Sequence, residues 1–243
     1  MALSGAELRP GTLYLIPNLL GETSIDASLP RQVTQITARL THFLVEDEKS
    51  ARRLIKQLNP STDLRSLSME RLNEHTKREA LETLIAPLSR GHDIGIISEA
   101  GCPAIADPGS DVVRLAHSRG ARVVPLVGPC SMILALMASG MNGQRWRFVG
   151  YLPVEGLERK SEIEDLDRIA NNTCETQIAM ETPYRNQKLL NDLLSWCRPQ
   201  TQLCVAQGLT TEDEWITTAS IAEWRATAHE LRKVPTLFLI GRC

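Results

Sequence analysis

The sequence predicts an α/β protein with two lobes. Short runs rich in apolar and β-branched residues recur along its 243 residues, and a longer stretch with helical periodicity follows each run. This alternation is typical of α/β architecture. Chains of this length usually split their core, and a predicted strand here gives way to Gly128, Pro129 and a segment of small residues. We therefore expect an N-terminal domain at 1–128 and a C-terminal domain at 129–243.

Eight strands are predicted where apolar runs are bounded by glycine, proline or polar residues. They cover residues 12–16, 42–45, 93–97, 122–127, 147–150, 177–180, 202–206 and 236–240. Helices are predicted at residues 50–58, 74–88, 111–117, 161–170 and 185–196, with a further helix rich in Ala, Leu and Met after Ser131. The first of them carries Leu54, Ile55 and Leu58 at helical spacing, and Asn59-Pro60 ends it.

The composition is ordinary for a protein without a membrane anchor. Hydrophobic residues make up 42% and charged residues 23% of the chain, and no window offers the roughly 18 unbroken apolar residues of a membrane span. The first ten residues include Glu7 and Arg9 and lack the basic stretch, apolar run and cleavage site of a secretory signal. These features predict a cytoplasmic protein.

The six cysteines are dispersed and form no C-x-x-C pair. In a chain of this size they are expected to be reduced, mostly buried thiols. The five histidines are equally scattered, without ligand spacing to cysteines or carboxylates, so no metal site is expected. The cysteines are Cys102, Cys130, Cys174, Cys197, Cys204 and Cys243.

The formal net charge of -2 argues against a uniformly basic nucleic-acid binder, since phosphate neutralisation requires concentrated lysine and arginine. Two local basic groups are candidates for a smaller nucleic-acid contact, and the alternative is that both are solvated surface. One group is Lys49, Arg52, Arg53 and Lys56 on one predicted helix, and the other is Arg145 and Arg147 beside Trp146.

Two turns built from small residues follow predicted strands. The first, at residues 98–109, is dense in Gly, Ala and Pro, and the second begins at Gly128-Pro129. In an open α/β sheet, ligands bind beyond the carboxyl ends of strands, where small residues let the backbone approach closely. The first strand lacks a following G-x-G-x-x-G, which disfavours a dinucleotide-dependent redox enzyme. The turns thus predict a ligand held mainly by backbone groups, and the alternative is that they only reverse the chain.

Seven short segments stand in order along nearly the whole chain. They are Gly11-Thr12-Leu13-Tyr14-Leu15, Glu46-Asp47, Ile97-Ser98-Glu99-Ala100-Gly101-Cys102-Pro103 with Asp107-Pro108-Gly109, Val127-Gly128-Pro129, Gly150-Tyr151-Leu152-Pro153, Met180-Glu181-Thr182-Pro183-Tyr184-Arg185, and Leu209-Thr210 with Glu212. Together they resemble the tetrapyrrole-methylase family. Within that family they look like the branch of ribosomal RNA cytidine 2'-O-methyltransferases, whose E-S-P-x-R element the sixth segment resembles.

The resemblance implies two α/β lobes with S-adenosylmethionine folded in the cleft between them, and a homodimer. It also implies which residues contact this cofactor. They are Pro17, Glu99, Ala100, Gly101, Ile105, Cys130, Ser131, Met180, Gly208, Pro235 and Thr236. The alternative for Met180 is a core methionine, which is the commoner fate of this residue type at a strand end.

Methyl transfer from a sulfonium is an in-line displacement, so positioning the donor and the acceptor contributes most of the catalysis. A ribose hydroxyl has a high pKa, and a nearby carboxylate can accept its proton as the new bond forms. Glu46, Asp47 and Glu181 are the candidates because each follows a predicted strand. We expect Arg185 or Lys49 to bind a substrate phosphate. The alternative for Asp47 is helix capping, since a helical run follows it.

The chain departs from the family pattern at several positions, which together weaken the ribosomal assignment more than the cofactor assignment. Glu99 stands where the branch usually has aspartate, and Thr211 replaces the lysine of its L-T-K-x-x-E element. The expected reaction is methylation of a ribose 2'-hydroxyl of small-subunit ribosomal RNA, with that RNA or the small ribosomal subunit as partner. Two alternatives stay open: a methyltransferase of the same fold that acts on a tetrapyrrole, corrinoid or other small molecule, and a non-catalytic cofactor-binding protein.

Overall fold

A computed structural model gives the structure of the protein and describes residues 9–242. The chain divides into two compact units, Met1–Pro129 and Cys130–Cys243. That each unit folds as an independent domain stays a prediction. The first eight residues, which carry most of the signal-peptide argument, lie outside the described residues, as does Cys243.

The N-terminal unit is built on a parallel sheet of five strands in the order β3-β2-β4-β1-β5. The strands are β1 (Thr12–Ile16), β2 (His42–Val45), β3 (Ser68–Arg71), β4 (Ile94–Ile97) and β5 (Arg122–Pro125). The helices are α1 (Ile25–Ser28), α2 (Arg31–Thr37), α3 (Glu48–Leu58), α4 (Arg78–Ser89) and α5 (Ser110–Ser118), and a 3-10 turn at Leu64–Ser66 precedes β3.

Apolar side chains cover both faces of this parallel sheet. In β2, Phe43 and Val45 pack into one hydrophobic cluster and Leu44 into another, since successive side chains of a strand point to opposite faces. Helix α3 adds Ile55 to the first cluster, and α4 adds Ile85 to the second. Burial on both faces explains why the central strands are continuous apolar runs in the sequence rather than alternating ones.

The C-terminal unit is built on a mixed sheet of five strands in the order β6-β7-β10-β8-β9. The strands are β6 (Trp146–Tyr151), β7 (Thr176–Glu181), β8 (Gln202–Gln207), β9 (Trp215–Ser220) and β10 (Thr236–Gly241). Strands β6 and β7 are parallel, and the other neighbouring pairs are antiparallel. The helices are α6 (Ser131–Ser139), α7 (Gly156–Thr173), α8 (Asn186–Trp196) and α9 (Ile221–Ala226).

One hydrophobic cluster forms the core of this second unit. It gathers Ile163 of α7, Leu189 of α8 and Phe238 of β10, all fully buried. Trp224 of α9 joins them, and its indole Nε1 donates to the carbonyl oxygen of Leu203 at 2.9 Å, so the one polar atom of this large side chain is satisfied. None of the helices between residues 9 and 242 has the length and apolar character needed to cross a membrane.

The eight predicted strands and six predicted helices are confirmed as elements, with shifted ends. The prediction of a strand at 122–127 is wrong at its end, because the neighbouring strand β1 stops at Ile16 and leaves Val127 no strand to pair with. Asp93 lies outside β4, where its carboxylate accepts from the Thr12 amide at 2.7 Å.

Two strands and three short helices escaped sequence-based prediction. Strands β3 and β9 lie at sheet edges, where a strand has a single neighbour and needs no continuous apolar run. Helices α1, α2 and α9 have four, seven and six residues, too few for helical periodicity to be recognised.

Gly11, directly before β1, is expected to be important for the stability of the N-terminal unit. A Cβ atom there would lie 1.9 Å from the carbonyl oxygen of His92, and backbone cannot move aside as a side-chain tip can. Gly11→Ala should lower the free energy of unfolding by about 3 kcal/mol, measured by urea denaturation. Gly143→Ala is the control, since no heavy atom lies within 4 Å of its added Cβ. Equal stability of the two variants would contradict the packing argument.

Candidate functional site

The carboxyl ends of β1 and β4 are joined by the side chain of Asn18. Its Nδ2 donates to the carbonyl oxygens of Ser98 at 3.0 Å and Glu99 at 2.9 Å. Its backbone N–H donates to the carbonyl of Gly101 at 2.8 Å. Asn18 is itself buried, so water does not compete for these bonds. Two loops that are 80 residues apart in the sequence are thereby held as one structure.

Gly128, after β5, brings a third loop against the first. A Cβ atom at Gly128 would lie 2.2 Å from the Cβ of Pro17, so only glycine permits this approach. The Sγ of Cys102 lies 3.4 Å from the carbonyl oxygen of Pro129. The two predicted small-residue turns therefore meet at one edge of the N-terminal sheet, as the carboxyl ends of parallel strands should.

The loop after β4 exposes three of the residues expected to contact the cofactor. They are Glu99, Ala100 and Ile105. In the same loop Ala104 and Ala106 have left-handed φ values of 65° and 60°, which are uncommon for residues other than glycine. Backbone of this kind persists only where the surroundings fix it, and it is concentrated at ligand-binding and catalytic sites.

The acidic pair after β2 has a structural role in fixing this loop. The Oε2 of Glu46 accepts from the backbone N–H of Glu99 at 3.0 Å. Asp47 is the N-cap of α3 and accepts from the N–H of Ser50 at 2.7 Å, which confirms the capping alternative for this residue. The Ser50 hydroxyl in turn donates to the carbonyl of Glu99 at 3.2 Å. Capping leaves one carboxylate oxygen of Asp47 without a role in the cap.

A cavity of about 360 Å³ opens beside this acidic pair. Four carboxylates, one arginine and one histidine line it, so it is polar and suited to a hydrogen-bonding ligand. Its lining residues are Glu46, Asp47, Arg71, Asn73, Glu74, His75, Glu99, Ala106 and Pro108.

Asp107 lies in the loop that borders the cavity and carries a perturbed carboxyl group. Burial raises the pKa of Asp107 to about 6, and the nearby charge of Glu46 adds to the rise. A carboxyl that takes up a proton near neutral pH beside ionised neighbours is a common feature of functional sites.

In the C-terminal unit, four of the expected cofactor residues lie at one end of the sheet. The ladder pairs Thr236 with both Glu181 and Gln207, and it pairs Leu237 with Met180. Met180 is half-buried at the end of β7. Pro235 precedes Thr236, and Gly208 follows β8 with a φ of +56°. The hydroxyl of Thr236 is already satisfied, because it accepts from the amide of Gln207 at 2.9 Å.

The two remaining cofactor candidates, Cys130 and Ser131, stand where the second unit begins. Cys130 is the N-cap of α6 and its side chain makes no capping hydrogen bond, and Ser131 is the first helical residue. Both are half-buried. The start of a helix presents backbone N–H groups that lack intrahelical partners, which suits the backbone-mediated binding that the sequence predicts.

Half of the charge in the first basic group is balanced within the protein. Arg52 donates through Nε to Glu48 at 2.8 Å, and Arg53 pairs with Glu22 at 3.1 Å. Lys56 donates to the carbonyl of Pro60. Lys49 and Lys56 are exposed and form no ion pair within residues 9–242, so this helix offers two unbalanced charges, of which Lys49 lies beside the acidic pair.

The third acidic candidate, Glu181, differs from the other two because it is fully buried. Its Oε1 accepts from the Thr182 N–H at 2.7 Å and from the Nε of Arg185 at 3.0 Å. The Nη1 of Arg159, also fully buried, lies 3.7 Å from its Oε2. The structure thus brings Arg185, a predicted phosphate ligand, into contact with Glu181, a predicted base.

Three residues of these sites were missed by sequence reasoning. Asn18 carried a weak signal, since it directly follows a strand and a proline. Asp107 stood within a motif, but its raised pKa depends on burial that the sequence does not show. Arg159 carried no signal, because an arginine in an amphipathic helix is usually solvated.

The raised pKa of Asp107 predicts a pH-dependent stability. The protonated carboxyl is favoured in the folded state, so its contribution is complete below the ordinary value of 3.8 and is lost as the pH rises to about 6. Asp107→Asn should therefore be more stable than the parent at pH 7.5 by about 1 kcal/mol, with partial exposure limiting the gain. Urea denaturation at pH 7.5 and pH 4 measures it. A gain that persists at pH 4, or a loss at pH 7.5, would exclude the explanation.

Solved structures share this fold along almost the whole chain. The methyltransferase CobJ superposes with a TM-score of 0.60 at 16% identity and covers 96% of this chain and 95% of its own. Cobalt precorrin-4 methyltransferase, CbiF, gives 0.58 at 17% identity, covering 95% and 94%. Uroporphyrin-III C-methyltransferase from Thermus thermophilus, in complex with S-adenyl homocysteine, gives 0.57 at 16% identity, covering 95% and 97%. They confirm the tetrapyrrole-methylase fold.

Curated relatives match at higher identity, whereas no family model matches the chain. Three are proteins named ribosomal RNA small subunit methyltransferase I. The one from Vibrio cholerae is 29% identical over 94% of this chain and 76% of its own length. Those from Pseudomonas aeruginosa and Streptococcus pyogenes serotype M6 are 30% and 31% identical over 88% of this chain, covering 71% and 70% of their lengths. The chain therefore belongs to the ribosomal RNA small subunit methyltransferase I family and is a methyltransferase.

Proposed function

We propose that this methyltransferase transfers the methyl group of S-adenosylmethionine to a ribose 2'-hydroxyl of small-subunit ribosomal RNA. Family membership supports the RNA substrate, since three relatives of 29 to 31% identity carry that name. The observation that carries the cofactor assignment is the joined set of loops at the edge of the N-terminal sheet. Asn18 and Gly128 bring the two small-residue turns together there with the loop after β1.

The residues at this edge fit S-adenosylmethionine. Ala100 and Ile105 are exposed, and Gly101 turns the chain at a φ of +68° that favours glycine. Small side chains let backbone groups reach a ligand, and Ile105 offers apolar surface for an adenine ring. When bound, the cofactor supplies an activated methyl group on a sulfonium. The protein then needs to bind, orient and deprotonate the acceptor.

The second set of cofactor residues belongs to the same proposal. Met180, Gly208, Pro235 and Thr236 share one end of the C-terminal sheet, which supports their acting as a group. The Thr236 hydroxyl is engaged by Gln207, so this residue is expected to contribute its backbone or methyl group rather than its oxygen. Cys130 and Ser131 complete the set at the N-terminus of α6.

Glu46 and Asp47 are the proposed proton acceptors. Both line the polar cavity of the N-terminal unit, and each carboxylate is held by a backbone N–H, that of Glu99 for Glu46 and that of Ser50 for Asp47. A carboxylate oriented in this way has an oxygen left to accept the hydroxyl proton of the acceptor ribose. Lys49, exposed in the first turn of α3, is the proposed phosphate ligand beside them.

A homodimeric state and a cytoplasmic location are also part of the proposal. Resemblance to the tetrapyrrole methylases supports the dimer, and a ribosomal substrate supports the location. Light scattering on the purified protein measures the oligomeric state directly.

Cofactor binding is tested with two glycines that have nearly the same left-handed φ. Gly101 and Gly120 have φ values of +68° and +69°, so an added methyl group meets the same φ strain in both, and at Gly101 it also lies 3.2 Å from the flexible tip of Leu20. Only Gly101 lies in the proposed site. Gly101→Ala should raise the Kd for S-adenosylmethionine at least about 10-fold, equivalent to about 1.4 kcal/mol, by calorimetry. Gly120→Ala should leave it unchanged. No binding by the parent protein, or equal effects of both variants, would refute the assigned site.

The acceptor is tested with labelled S-adenosylmethionine and either immature small ribosomal subunits or a tetrapyrrole precursor. Label should enter the RNA, and nuclease digestion should place it on a ribose. Changing the proton acceptor to its amide, by Glu46→Gln or Asp47→Asn, should lower kcat about 100-fold or more. Glu79→Gln, exposed in the first turn of α4, is the control. Label in the tetrapyrrole, or in neither substrate, would refute the RNA assignment. Full activity of the double variant Glu46→Gln/Asp47→Asn would exclude both residues as the proton acceptor.

A further inference from the structure

A rigid turn at the end of β7 projects an aromatic side chain away from the protein. The N–H groups of Arg185 and Asn186 both donate to the carbonyl of Thr182, at 3.0 and 3.1 Å. Pro183 follows Thr182, and its ring fixes the backbone φ at the second position of this turn. Tyr184 occupies the next position and is 86% exposed. The side chain is therefore held outward by the turn instead of packing on the sheet.

The buried carboxylate of Glu181 orients the guanidinium of Arg185, the residue that follows Tyr184. Its Nε and Nη2 lie 3.0 and 2.9 Å from the same Oε1. Its Nη1 makes no hydrogen bond within residues 9–242, and the side chain is 35% exposed. A charged group that is fixed on one side and open on the other is suited to binding an oxyanion from solvent.

Arg159 lies on the other side of Glu181 and attracts it by charge, without a hydrogen bond between them. Its Nη1 lies 3.7 Å from the Glu181 Oε2, and its Nε lies 2.7 Å from the Oδ2 of Asp192 on α8. The two arginines and two carboxylates balance one another in charge, as a buried ionic cluster requires. Arg185 is the arginine of the cluster that reaches the surface, where its Nη1 is available to a ligand.

The loop after β6 lies at the same end of the sheet as the turn after β7, because the two strands are parallel neighbours, and it is tied to this cluster. Arg159 Nη1 donates to the carbonyl oxygens of Pro153 at 2.9 Å and Val154 at 3.0 Å. Val154 and, just beyond it, Leu157 are exposed apolar residues. This end of the sheet thus presents a flat aromatic ring, exposed apolar side chains and one oriented cation.

We propose that the turn from Thr182 to Arg185 is a contact for single-stranded RNA, in which Tyr184 stacks on a base and Arg185 binds the adjacent phosphate. Glu181 and Arg159 are its positioning residues. Aromatic stacking beside a guanidinium is a recurrent means of holding unpaired nucleotides. This inference rests on the proposed function, since it specifies how that substrate is held.

The same geometry gives Glu181 a role different from proton acceptance. Its side chain has no exposed surface, and Oε1 is engaged by Thr182 and Arg185. A substrate hydroxyl has no path to either oxygen while both arginines are in place. Glu181 therefore orients Arg185, and Glu46 and Asp47 are left as the proposed proton acceptors.

RNA contact is tested by filter binding of a labelled single-stranded RNA oligonucleotide of mixed sequence to the full chain. Tyr184→Ala should raise the Kd about 5- to 100-fold, and Tyr184→Phe should restore affinity, because stacking needs the ring and not the hydroxyl. Arg185→Ala should weaken the salt dependence of binding, reducing the magnitude of the slope of log affinity against log salt concentration by about 0.7. Gln200→Ala, exposed at the opposite end of the same sheet, is the control.

The positioning role of Glu181 is tested by the kinetics of ribosomal RNA methylation. Glu181→Gln should raise KM for the small subunit and leave kcat and its pH profile unchanged, whereas loss of a base would lower kcat and flatten that profile. Thermal unfolding shows whether the variant folds, and Arg185→Lys, which keeps the charge but loses the planar guanidinium, should raise KM in the same way.

A parent enzyme that methylates RNA while Tyr184→Ala binds the oligonucleotide normally would overturn the stacking contact alone. A change of Tyr184→Ala from dimer to monomer with unchanged RNA affinity would assign the turn to a protein contact and overturn the proposal. A parent that methylates no ribosomal RNA would overturn both this inference and the proposed function.

Discussion

The carboxamide of Asn18 is the interaction on which the N-terminal site depends. Its hydrogen bonds to the Ser98 and Glu99 carbonyls hold the loop after β4 against the loop after β1. Glu46 holds the same loop from the other side through the Glu99 N–H. Each such bond contributes about 1 kcal/mol, but together they fix a backbone that includes unfavourable left-handed residues. Pre-organisation of this kind lets a ligand bind without first ordering the loop.

A buried ionic cluster does the corresponding work in the C-terminal unit. Arg159 and Glu181 lie beneath the surface with no exposed side-chain area, and Arg185 extends from them to solvent. Buried pairs seldom add net stability, because desolvation offsets most of the attraction between the charges. Their use here is geometric, since they fix the direction of a surface cation and the path of two loops. The buried ion pairs, which are costly in desolvation, therefore lie next to the surface proposed to bind RNA.

The two units arrange their residues by different rules. In the N-terminal unit, parallel strands send their carboxyl ends to one edge, so loops distant in sequence meet there. In the C-terminal unit, antiparallel neighbours place the end of β7 beside the start of β10 and the end of β8. Met180, Thr236 and Gly208 thus come together from three different segments. Both arrangements place at the edge of the sheet residues that are small or whose side-chain polar atoms are already hydrogen-bonded. Such residues suit a ligand bound largely through backbone groups.

The sequence by itself determined the α/β class, the main strands and helices, the small-residue turns and the family, because apolar periodicity, turn chemistry and ordered motifs are local signals. Tertiary structure alone decided the edge strands β3 and β9, the capping role of Asp47, and the partners of Asn18 and Glu181. These depend on which residues meet across 80 positions of sequence or inside a core. Burial decided the roles of the acidic residues, since the surrounding groups determine whether a carboxylate accepts a proton, caps a helix or orients an arginine.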